Sequence, residues 1–463
     1  MNSLETDLRS FLSPDSLMTS KEDCIVYGMD WTKVPGSVQA VVLPRTTDEV
    51  VNILKTCSKH RTAVIPSGGR TGLAGGVVGS GREVALSLNR MGILHPVDKL
   101  GFTVRVQAGA TTQSVHEHCE REGLTWPIDL AAKGTSTIGG NLGTNAGGLR
   151  VIRYGMARKW VSALQAVTIT GEVLELNRGL EKNNTGYDLM QMIVGSEGTL
   201  AVITEATLKL TRVPKNTMVL FFSLADTGKL GQLFSKSRQG PFTILACEFF
   251  SHACLNAVES ALGLKSRLTV RGDFYMILEI EVEDHPSAKD AVDGFLRTII
   301  DDGIILDGML AQSSSDQGQI WEIREGITES LQKTAPVKKF DVAVPVAVMC
   351  AFLDDIQALV KKGNYDFDLY LFGHFGDGSP HLNLLKRPST SLETFQSEYK
   401  RFNDALFPLL MRHHGSVSAE HGIGLLKKDW VTYSRTPEEL RLFKLIKAAF
   451  DPEGLLNPGK VID

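Results

Sequence analysis

Glycine is concentrated in two blocks, and this distribution constrains the fold more than any other feature of the sequence. The chain has 44 glycines among its 463 residues. The first block, residues 66–76, reads PSGGRTGLAGG and follows a β-branched run at 62–65 that predicts a strand. The second block, residues 134–148, reads GTSTIGGNLGTNAGG. Backbone N–H groups on such loops form a concave donor array that suits phosphate oxygens, so two blocks together indicate a diphosphate ligand, whereas one block alone is more typical of a tight turn.

Other nucleotide-binding folds are not supported. No GxGxxG follows a predicted strand, which argues against NAD on a Rossmann unit. The segment 454–460, GLLNPGK, imitates a phosphate-binding P-loop. However, Val461 stands where that motif needs Ser or Thr, so a nucleoside triphosphatase is rejected.

Charge and composition narrow the partners and the compartment. Lys and Arg number 49 against 53 Asp and Glu, a net charge of −4, so we expect no nucleic acid and no anionic membrane surface as partner. Hydrophobic residues make up 43% and charged residues 22%, as in a folded globular protein. The sequence has no long apolar run, no pattern of a secretory signal peptide and six scattered cysteines without a CxxC. We therefore expect a soluble, cytoplasmic protein, or a mitochondrial one if it is eukaryotic and processed.

The chain is predicted to be α+β and to divide into three parts. The glycine blocks stop near residues 212–216, and a new apolar strand begins at 218. The three parts are residues 1–213, 214–405 and 406–463. Helices are predicted at 47–55, 320–333, 346–360 and 437–450. Strands are predicted at 200–210, 218–224, 274–282 and 368–372, with a hairpin formed by 161–170 and 173–176.

One pair of histidines differs from the other histidines of the chain. His374 and His381 bracket the sequence FGDGSP. The Asp-Gly dipeptide inside it is favoured at the tip of a two-residue hairpin, which would place His374 directly opposite His381. Directly opposed residues have Cβ atoms ~4.5–5.5 Å apart, so both imidazoles could bind one cation. The open alternative is a structural hairpin with two partly buried histidines.

Two further side chains are candidates beside this pair. Asn383 follows His381 by two residues and is expected to share its sheet face. Glu420, in the run GSVSAEHGIG at 415–424, is the acid that we choose as the third ligand. Two histidines and one carboxylate leave an open coordination position, as in catalytic zinc sites; iron and manganese are alternatives.

Six segments together resemble one known family. The chain is similar to the FAD-dependent 2-hydroxyacid dehydrogenases of the vanillyl-alcohol-oxidase superfamily, whose FAD-binding domain is of the PCMH type. The similarity lies in residues 66–76, 127–148, 184–189, 194–200, 373–383 and 418–424. Residues 27–31 (YGMDW), 324–328 (REGIT) and 339–345 (KFDVAVP) are most similar to the D-2-hydroxyglutarate dehydrogenase branch, with D-lactate dehydrogenases as near relatives.

The resemblance implies roles for the three parts of the chain. Residues 1–213 would hold an N-terminal segment and the PCMH-type FAD-binding domain. Residues 214–405 would form an α+β substrate domain with an antiparallel sheet and a metal site. Residues 406–463 would form a helical segment that returns to the flavin and completes the active site.

The resemblance also implies bound FAD. Covalent members of the family have a His or Cys near the first glycine block, and residues 66–76 contain neither, so we expect non-covalent FAD. The implied cofactor-binding residues are Pro66, Ser67, Gly68, Gly69, Arg70, Thr71, Gly72, Leu73, Pro127, Gly134, Thr135, Ser136, Gly139, Gly140, Asn141, Thr144, Asn145, Gly147, Gly148, Glu197, Gly198, Ile203 and Asn457.

The same resemblance assigns the remaining site residues. His374, His381 and Glu420 match the family's metal ligands, and zinc is the first choice for the ion. The implied substrate-binding residues are Arg324, Thr328, Lys339, Asn383 and His421. A 2-hydroxydiacid has two carboxylates, which suits the guanidinium fork of Arg324 and the ammonium of Lys339. Without the resemblance, a solvated charged face is the plainer interpretation of these two cations.

The implied reaction is the oxidation of a D-2-hydroxyacid, above all of D-2-hydroxyglutarate to 2-oxoglutarate, with hydride transfer to flavin N5. His421 is the expected general base, because imidazole accepts a proton near neutrality. D-lactate or another D-2-hydroxyacid is the near alternative. A non-redox flavoprotein transferase, such as alkylglycerone-phosphate synthase, is the distant one, and a binding module without catalysis is the non-enzymatic one. The expected electron acceptor is electron-transfer flavoprotein or a quinone, and the sequence leaves a homodimer open.

Overall fold

The computed structural model describes residues 3–285 and 287–462, which form two compact units of mixed α and β structure. Unit 1 contains the described residues up to Gly148, residues Tyr154–Val213 and those from Glu420 onward. Unit 2 contains Leu149–Arg153 and Pro214–Ala419. The predicted α+β class is confirmed.

The predicted boundaries relate differently to these units. The boundary after residue 213 coincides with a point where the chain passes from unit 1 to unit 2. The boundary after residue 405 falls inside a helix, Leu392–Arg412. The assignment of separate functional roles to the three parts stays a prediction.

The strands are short and numerous in both units. In chain order they are β1 (Leu17–Met18), β2 (Ala40–Val42), β3 (Val64–Ser67), β4 (Val84–Ser87), β5 (Thr103–Gln107), β6 (Leu124–Thr125), β7 (Val161–Val167), β8 (Val173–Leu176), β9 (Val202–Lys209), β10 (Thr211–Arg212), β11 (Thr217–Leu224), β12 (Thr243–Ser251), β13 (Phe274–Glu281), β14 (Asp307–Leu310), β15 (Val337–Asp341), β16 (Phe367–His374) and β17 (Ser379–Lys386).

The helices alternate with these strands. They are α1 (Ser3–Arg9), α2 (Lys21–Tyr27), α3 (Thr47–Lys59), α4 (Thr112–Glu120), α5 (Ile138–Thr144), α6 (Val151–Tyr154), α7 (Leu189–Ile193), α8 (Thr227–Ser237), α9 (His252–Leu262), α10 (Ala288–Asp301), α11 (Ser314–Thr334), α12 (Met349–Gly363), α13 (Leu392–Arg412) and α14 (Pro437–Phe450). Within the described part of the chain, no helix combines the length and the apolar composition that a membrane crossing requires.

Unit 1 is built on two four-stranded sheets. The first has the order β1-β2-β4-β3, with β2, β4 and β3 parallel, and α3 connects β2 to β3. Thr46 begins α3 by accepting the Glu49 N–H on its side chain. The helix then turns an apolar stripe to the core, formed by Val50, Ile53, Leu54 and Cys57. The second sheet, β5-β9-β7-β8, is antiparallel, and its β7–β8 pair confirms the predicted hairpin.

The second glycine block contains a helix that its composition does not predict. Glycine lowers helix stability by about 1 kcal/mol relative to alanine, yet α5 lies within the block. Thr137 caps α5 by accepting the Gly140 N–H, and the buried side chains of Ile138 and Leu142 anchor it in the core of unit 1. Packing of these two apolar residues therefore overrides the weak local propensity.

Unit 2 is built on one seven-stranded antiparallel sheet in the order β14-β11-β13-β12-β16-β17-β15. The antiparallel sheet expected for this part of the chain is confirmed. On one face, Phe250 and Tyr275 of the sheet join Ile323 of α11 in an apolar cluster that also includes α9. We call this the site face. On the opposite face, Phe340 contacts Tyr399 of α13.

The hairpin between β16 and β17 has a different register from the predicted one. His374 lies opposite Ser379, and His381 lies opposite Phe372. The predicted direct pairing of His374 with His381 is therefore wrong. Because the partner is displaced by two residues, and not by one, both histidines still project from the site face, and their ring centroids are 5.1 Å apart.

A longer turn that begins at Phe375 explains the difference. The Phe375 N–H donates to the Cys247 carbonyl at 2.8 Å, and the phenyl ring is only 1% exposed. The Gly378 N–H closes the turn on the Phe375 carbonyl at 3.3 Å. Gly373 has φ +144°, and a Cβ there would lie 2.4 Å from the Ser379 carbonyl oxygen. These tertiary contacts outweigh the preference of Asp-Gly for a two-residue tip.

Candidate active site

The two glycine blocks border a single cleft in unit 1. Its lining includes many of the predicted cofactor-binding residues, namely Pro66, Ser67, Gly68, Gly69, Arg70, Thr71, Gly72, Gly139, Gly140, Asn141, Thr144, Glu197, Gly198 and Ile203. It also includes residues that the sequence analysis did not single out, namely Asp30, Gly76, Val77, Leu88, Ala108, Thr137, Gly143, Ser196, Ala201 and Val202. The convergence of the two blocks agrees with one shared ligand.

Some predicted cofactor-binding residues lie away from this lining. They are Leu73, Pro127, Gly134, Thr135, Ser136, Asn145, Gly147, Gly148 and Asn457. For the residues inside and outside the lining alike, contact with the cofactor stays a prediction. Asn457 nevertheless braces the cleft, because its side-chain amide donates to the carbonyls of Gly76 at 3.1 Å and Glu197 at 2.8 Å.

Close packing of backbones explains why the blocks are rich in glycine. A Cβ on Gly68 would lie 2.4 Å from Thr137 Oγ1, and a Cβ on Gly69 would lie 2.0 Å from the Thr135 carbonyl oxygen. The first block therefore lies directly against the second, with no room for side chains between them. This contact sets the shape of the cleft.

Buried polar atoms without a partner at the cleft show which groups a ligand must supply, and these can be compared with the groups of FAD. Among the described residues, Ser67 Oγ, Arg70 Nη1, Asp30 Oδ2 and Ser196 Oγ are buried without a hydrogen-bond partner in the protein. Buried polar groups are normally hydrogen-bonded, so these atoms indicate a ligand. The set offers donors for pyrophosphate oxygens and a carboxylate for ribityl or ribose hydroxyls, and it therefore fits FAD.

Replacing Gly69 with alanine is expected to weaken FAD binding. The new Cβ would lie 2.0 Å from the Thr135 carbonyl oxygen, so the two glycine blocks must separate. Overpacking of this kind costs ~1–3 kcal/mol, about five- to 150-fold in the FAD dissociation constant. Titration of the apoprotein with FAD, followed by flavin fluorescence, measures the change. Gly92→Ala is the matched control, because a Cβ at Gly92 meets no atom within 4 Å; equal affinities of the two variants would contradict the expectation.

A second feature of unit 1 is the segment that bears Glu420 and His421. The N–H groups of Ile423 and Gly424 donate to the two carboxylate oxygens of Glu197 at 2.7 and 2.8 Å. Desolvation of the Glu197 carboxyl raises its pKa, although these two hydrogen bonds oppose the shift. Glu197, predicted as a cofactor residue, thus also anchors the backbone next to the predicted base.

Glu420 and His421 themselves are half-buried. A carboxylate oxygen of Glu420 accepts the Gly148 N–H at 3.1 Å. The His421 Nε2 lies 3.8 Å from the other Glu420 oxygen. The structure assigns both residues to unit 1, whereas the other predicted metal and substrate residues belong to unit 2.

In unit 2, His374 belongs to a buried charge cluster on the site face. Its Nδ1 lies 2.6 Å from Oε1 of Glu248, while Oε2 of Glu248 accepts a hydrogen bond from Arg324 Nε at 2.9 Å and forms an ion pair with Arg324 Nη2 at 2.7 Å. Glu248 is completely buried and Arg324 is 7% exposed. Burial opposes ionisation of Glu248, but the neighbouring His374 and Arg324 outweigh it and hold the pKa of the carboxyl below its ordinary value.

The position of Arg324 on α11 decides between the two interpretations of this cation. Arg324 lies on the buried face of the helix with Ile320, Ile323 and Ile327. A solvated charged face is therefore wrong for Arg324. Thr328, one helical turn further on, is half-buried on the same side of α11. The contact of both residues with substrate stays a prediction.

Three neighbouring strands supply a second row of polar side chains on the site face. In the ladders, Lys339 of β15 lies opposite Asn383 of β17, which lies opposite Tyr370 of β16. Asp341 lies opposite His381, with 3.9 Å between Asp341 Oδ1 and His381 Nδ1. Asn383 is buried, whereas Lys339 is exposed. Asn383 and His381 share one face, as the sequence predicts.

The adjacent lysines of β15 project to opposite faces of the sheet. The Lys338 ammonium lies 4.9 Å from the centroid of the Tyr399 ring on α13. Lys339 lies on the site face, and desolvation of its ammonium lowers its pKa. Lys339, and not Lys338, is thus the cation available to a ligand on this face.

Sequence reasoning missed several polar residues of the two sites. Glu248 is the single acid of β12, TILACEFFS, and a lone acid in an apolar strand is a signal that could have identified it. Asp341 and Asp30 lie inside motifs that carry the family resemblance, but nothing in their spacing assigns them a partner. Tyr370 gives no local signal.

Two family models match the chain. "FAD linked oxidases, C-terminal domain" matches residues 213–461, more than half of the chain, and "FAD binding domain" matches residues 38–177. Both domain assignments agree with the cleft in unit 1 and the antiparallel sheet in unit 2.

Similar proteins cover nearly the whole length. A D-2-hydroxyglutarate dehydrogenase of Stutzerimonas stutzeri (strain A1501) is 37% identical over 456 residues, covering 98% of this chain and 98% of the relative. Another, of Xanthomonas citri pv. viticola, is 41% identical over 449 residues, covering 96% and 94%. The crystal structure of p-cresol methylhydroxylase with substrate bound has a TM-score of 0.75 at 15% identity, covering 100% of this chain and 97% of that chain, which shows the fold. The resemblance inferred from the sequence is confirmed, and this chain belongs to the family of FAD-linked oxidases that includes the D-2-hydroxyglutarate dehydrogenases.

Proposed function

We propose that this protein oxidises D-2-hydroxyglutarate to 2-oxoglutarate with non-covalently bound FAD. The observation that carries the proposal is the set of ligand-facing groups on the site face of unit 2, in a chain whose full-length relatives are named D-2-hydroxyglutarate dehydrogenases. A substrate with two carboxylates needs two anion-binding groups. Arg324 and Lys339 supply them from different elements of unit 2.

Recognition of the dicarboxylate uses charge and hydrogen bonding together. Lys339 offers an ammonium at the exposed edge of the row, and the buried Asn383 opposite it offers an amide. Arg324 offers a guanidinium from α11, and Thr328 adds a hydroxyl one turn away. These residues bind the acid; they leave its C2 carbon to the redox chemistry.

The cleft of unit 1 supports the cofactor assignment. FAD bound in this cleft would supply the two-electron acceptor, at flavin N5, for the hydride that leaves C2 of the substrate. Ser67 and Arg70 provide unsatisfied donors for the pyrophosphate, and Asp30 provides an unsatisfied acceptor for a sugar hydroxyl. Because residues 66–76 contain no His or Cys, this block offers no side chain for a covalent flavin bond.

His374, His381 and Glu420 are the proposed ligands of a divalent cation, with zinc as first choice and iron or manganese as alternatives. The 5.1 Å between the two imidazole centroids suits a shared ion. Ala419, the residue before Glu420, donates its N–H at 3.3 Å to the carbonyl of Asp341, the ladder partner of His381. A bound cation supplies positive charge that makes a substrate hydroxyl more acidic.

His421 is the proposed general base. The C2 hydroxyl must lose its proton when the C2 hydrogen leaves as hydride, so the alcohol gives up two electrons and two hydrogens in total and becomes a ketone. An imidazole accepts such a proton near neutrality. The half-buried position of His421 lets the ring pass the proton on to solvent.

Anaerobic mixing with a panel of hydroxyacids tests the proposal. We expect D-2-hydroxyglutarate to bleach the flavin absorbance with the highest kcat/KM, and L-2-hydroxyglutarate to leave it unchanged. Faster bleaching by D-lactate would assign the near alternative instead. No bleaching by any hydroxyacid would favour the non-redox transferase and overturn the proposal.

Removal of the metal is expected to abolish flavin reduction without releasing FAD. The proposed ligands lie outside the residues that line the cleft, so the cofactor does not depend on the ion. The measurement is the anaerobic reduction rate before chelation, after chelation and after addition of zinc. An unchanged rate in protein that elemental analysis shows to be metal-free would remove the cation from the proposal.

The KM for D-2-hydroxyglutarate is expected to rise at alkaline pH. Desolvation lowers the pKa of Lys339, so its ammonium is charged below that pKa and neutral above it. Binding of a carboxylate needs the charged form, and affinity is therefore lost as pH increases through the lowered pKa. Lys339→Arg should remove this rise, since guanidinium stays protonated, whereas Lys339→Met should have a raised KM at neutral pH that changes no further as the pH increases. A KM for Lys339→Met equal to that of the wild type at neutral pH would exclude the role.

The physiological context remains a set of predictions. We propose electron-transfer flavoprotein or a quinone as the acceptor, a cytoplasmic or mitochondrial location, and a homodimer as the assembly to be tested. The six cysteines are free thiols, which agrees with a reducing compartment. Reoxidation of the reduced flavin by purified electron-transfer flavoprotein, compared with a soluble quinone, separates the two acceptors.

A further inference from the structure

Glu248 is a buried acid that has no role in the proposed function. Its side chain is 0% exposed, and it lies next to His374 in the β12–β16 ladder. One carboxylate oxygen accepts a hydrogen bond from His374 Nδ1, and the other accepts one from Arg324 Nε and forms an ion pair with Arg324 Nη2. A single carboxylate thus contacts a proposed metal ligand and a proposed substrate cation at the same time.

The contact with Glu248 determines which nitrogen of the His374 ring is the donor. A buried carboxylate is unfavourable unless a partner compensates its charge, and Arg324 does so by a hydrogen bond and an ion pair to Oε2. A neutral imidazole that donates from Nδ1 carries its lone pair on Nε2, which is the form that binds a cation.

The same contacts fix the guanidinium. Arg324 uses Nε and Nη2 toward Glu248, and its plane lies over the Phe372 ring with 5.0 Å to the centroid. The side chain is held from one edge and one face. Nη1 is then the group that remains for a carboxylate of the substrate.

We propose that Glu248 is a positioning residue that links the metal subsite to the carboxylate subsite: it holds His374 as the Nδ1–H tautomer, with Nε2 toward the cation, and it aims Arg324 at the substrate. This inference rests on the proposed function. It differs from a merely structural role, because a charge that only stabilises the core would not affect metal affinity and substrate affinity together.

Glu248→Gln is the discriminating variant. The amide has one carbonyl oxygen and one NH₂ group, so it cannot accept from both His374 and Arg324. Glu279→Gln is the matched control, because Glu279 lies on the neighbouring strand β13 and pairs through both oxygens with Arg150, at 2.9 and 3.1 Å, without contact to the cluster. Both variants remove one buried acid from one Arg–Glu pair of the same sheet.

Calorimetric titration of metal-stripped, FAD-loaded protein with zinc is the first measurement, and the KM for D-2-hydroxyglutarate is the second. We expect Glu248→Gln to weaken zinc binding ~10–100-fold, the usual effect of losing an outer partner of a metal-bound histidine, and to raise KM. Glu279→Gln should match the wild type in both. Equal zinc affinity and KM in the two variants would overturn the inference and leave the proposed function standing. A wild-type protein that binds no divalent cation would instead overturn the proposed metal site. The link that Glu248 makes to that site would then be overturned as well.

A measurement on the unmodified chain covers the case in which Glu248→Gln does not fold. Nitrogen NMR of protein labelled at histidine distinguishes the two ring nitrogens, and the signal of His374 is identified by its absence in His374→Gln. We expect the zinc-loaded wild type to show a protonated Nδ1 and a metal-bound Nε2 for His374. Coordination through Nδ1 would contradict the inference, because that nitrogen would no longer donate to Glu248.

Discussion

Replacing His421 with alanine is expected to lower kcat by about 100-fold or more, the lower bound for the loss of a general base, while FAD stays bound. The backbone beside His421 is held by the N–H groups of Ile423 and Gly424 on the Glu197 carboxylate, and the imidazole takes no part in these contacts. Truncation of the ring therefore removes the proton acceptor without releasing the segment. Flavin content and the rate of anaerobic flavin reduction are the two readouts.

A second histidine of unit 1 provides the control for this experiment. His95→Ala removes an imidazole that lies near Glu205 on the surface of the second sheet, outside both sites. It should leave kcat unchanged. A His421→Ala variant that reduces its flavin as fast as the wild type would exclude His421 as the base.

Arg324→Ala is expected to cause the second large effect, which is a lower free energy of unfolding together with a higher KM. Removal of the guanidinium leaves the Glu248 carboxylate buried without its counter-ion. Breaking a buried pair in this way costs about 3–5 kcal/mol in the free energy of unfolding. The substrate loses its anchor as well, so KM for D-2-hydroxyglutarate should rise about tenfold or more while kcat changes little, because binding contributed equally to ground and transition states is lost.

A double variant separates the two effects. Arg324→Ala combined with Glu248→Gln removes the uncompensated charge but does not restore the group that anchors the substrate. Denaturant unfolding should recover most of the lost free energy, whereas KM should stay high. Recovery of KM together with stability would mean that Arg324 serves only to neutralise Glu248.

Local patterns predicted the elements of the fold better than their register. The β7–β8 hairpin and α14 follow from alternation and capping signals close together in the sequence. The register of the β16–β17 hairpin did not, because the Phe375 N–H is bound by the carbonyl of Cys247 on another strand. Helix α5 could not be predicted for a related reason: its stability comes from the buried Ile138 and Leu142 and not from its glycines.

In the candidate site, too, contacts between residues close in sequence could be predicted and contacts between distant residues could not. The proximity of His374 and His381 could be predicted, because only a short turn separates them. The partner of Arg324 could not, since Glu248 is 76 residues away and the two meet only through the packing of α11 on the site face. The roles of the residues assigned by family resemblance likewise depend on contacts between segments that are far apart in the sequence.

The order in which the parts of unit 1 are synthesised has a consequence for its first sheet. Val64, at the start of the strand that leads into the first glycine block, forms a bridge with Leu456, and its carbonyl accepts the Asn457 N–H at 2.7 Å. The ribosome makes all of unit 2 before it reaches these two residues. At ~5–20 residues per second, the sheet of unit 2 has time to form on the nascent chain while the earlier half of the protein still lacks its closing strand partner. The strand that leads into the first glycine block therefore gains its last backbone partner only at the end of synthesis.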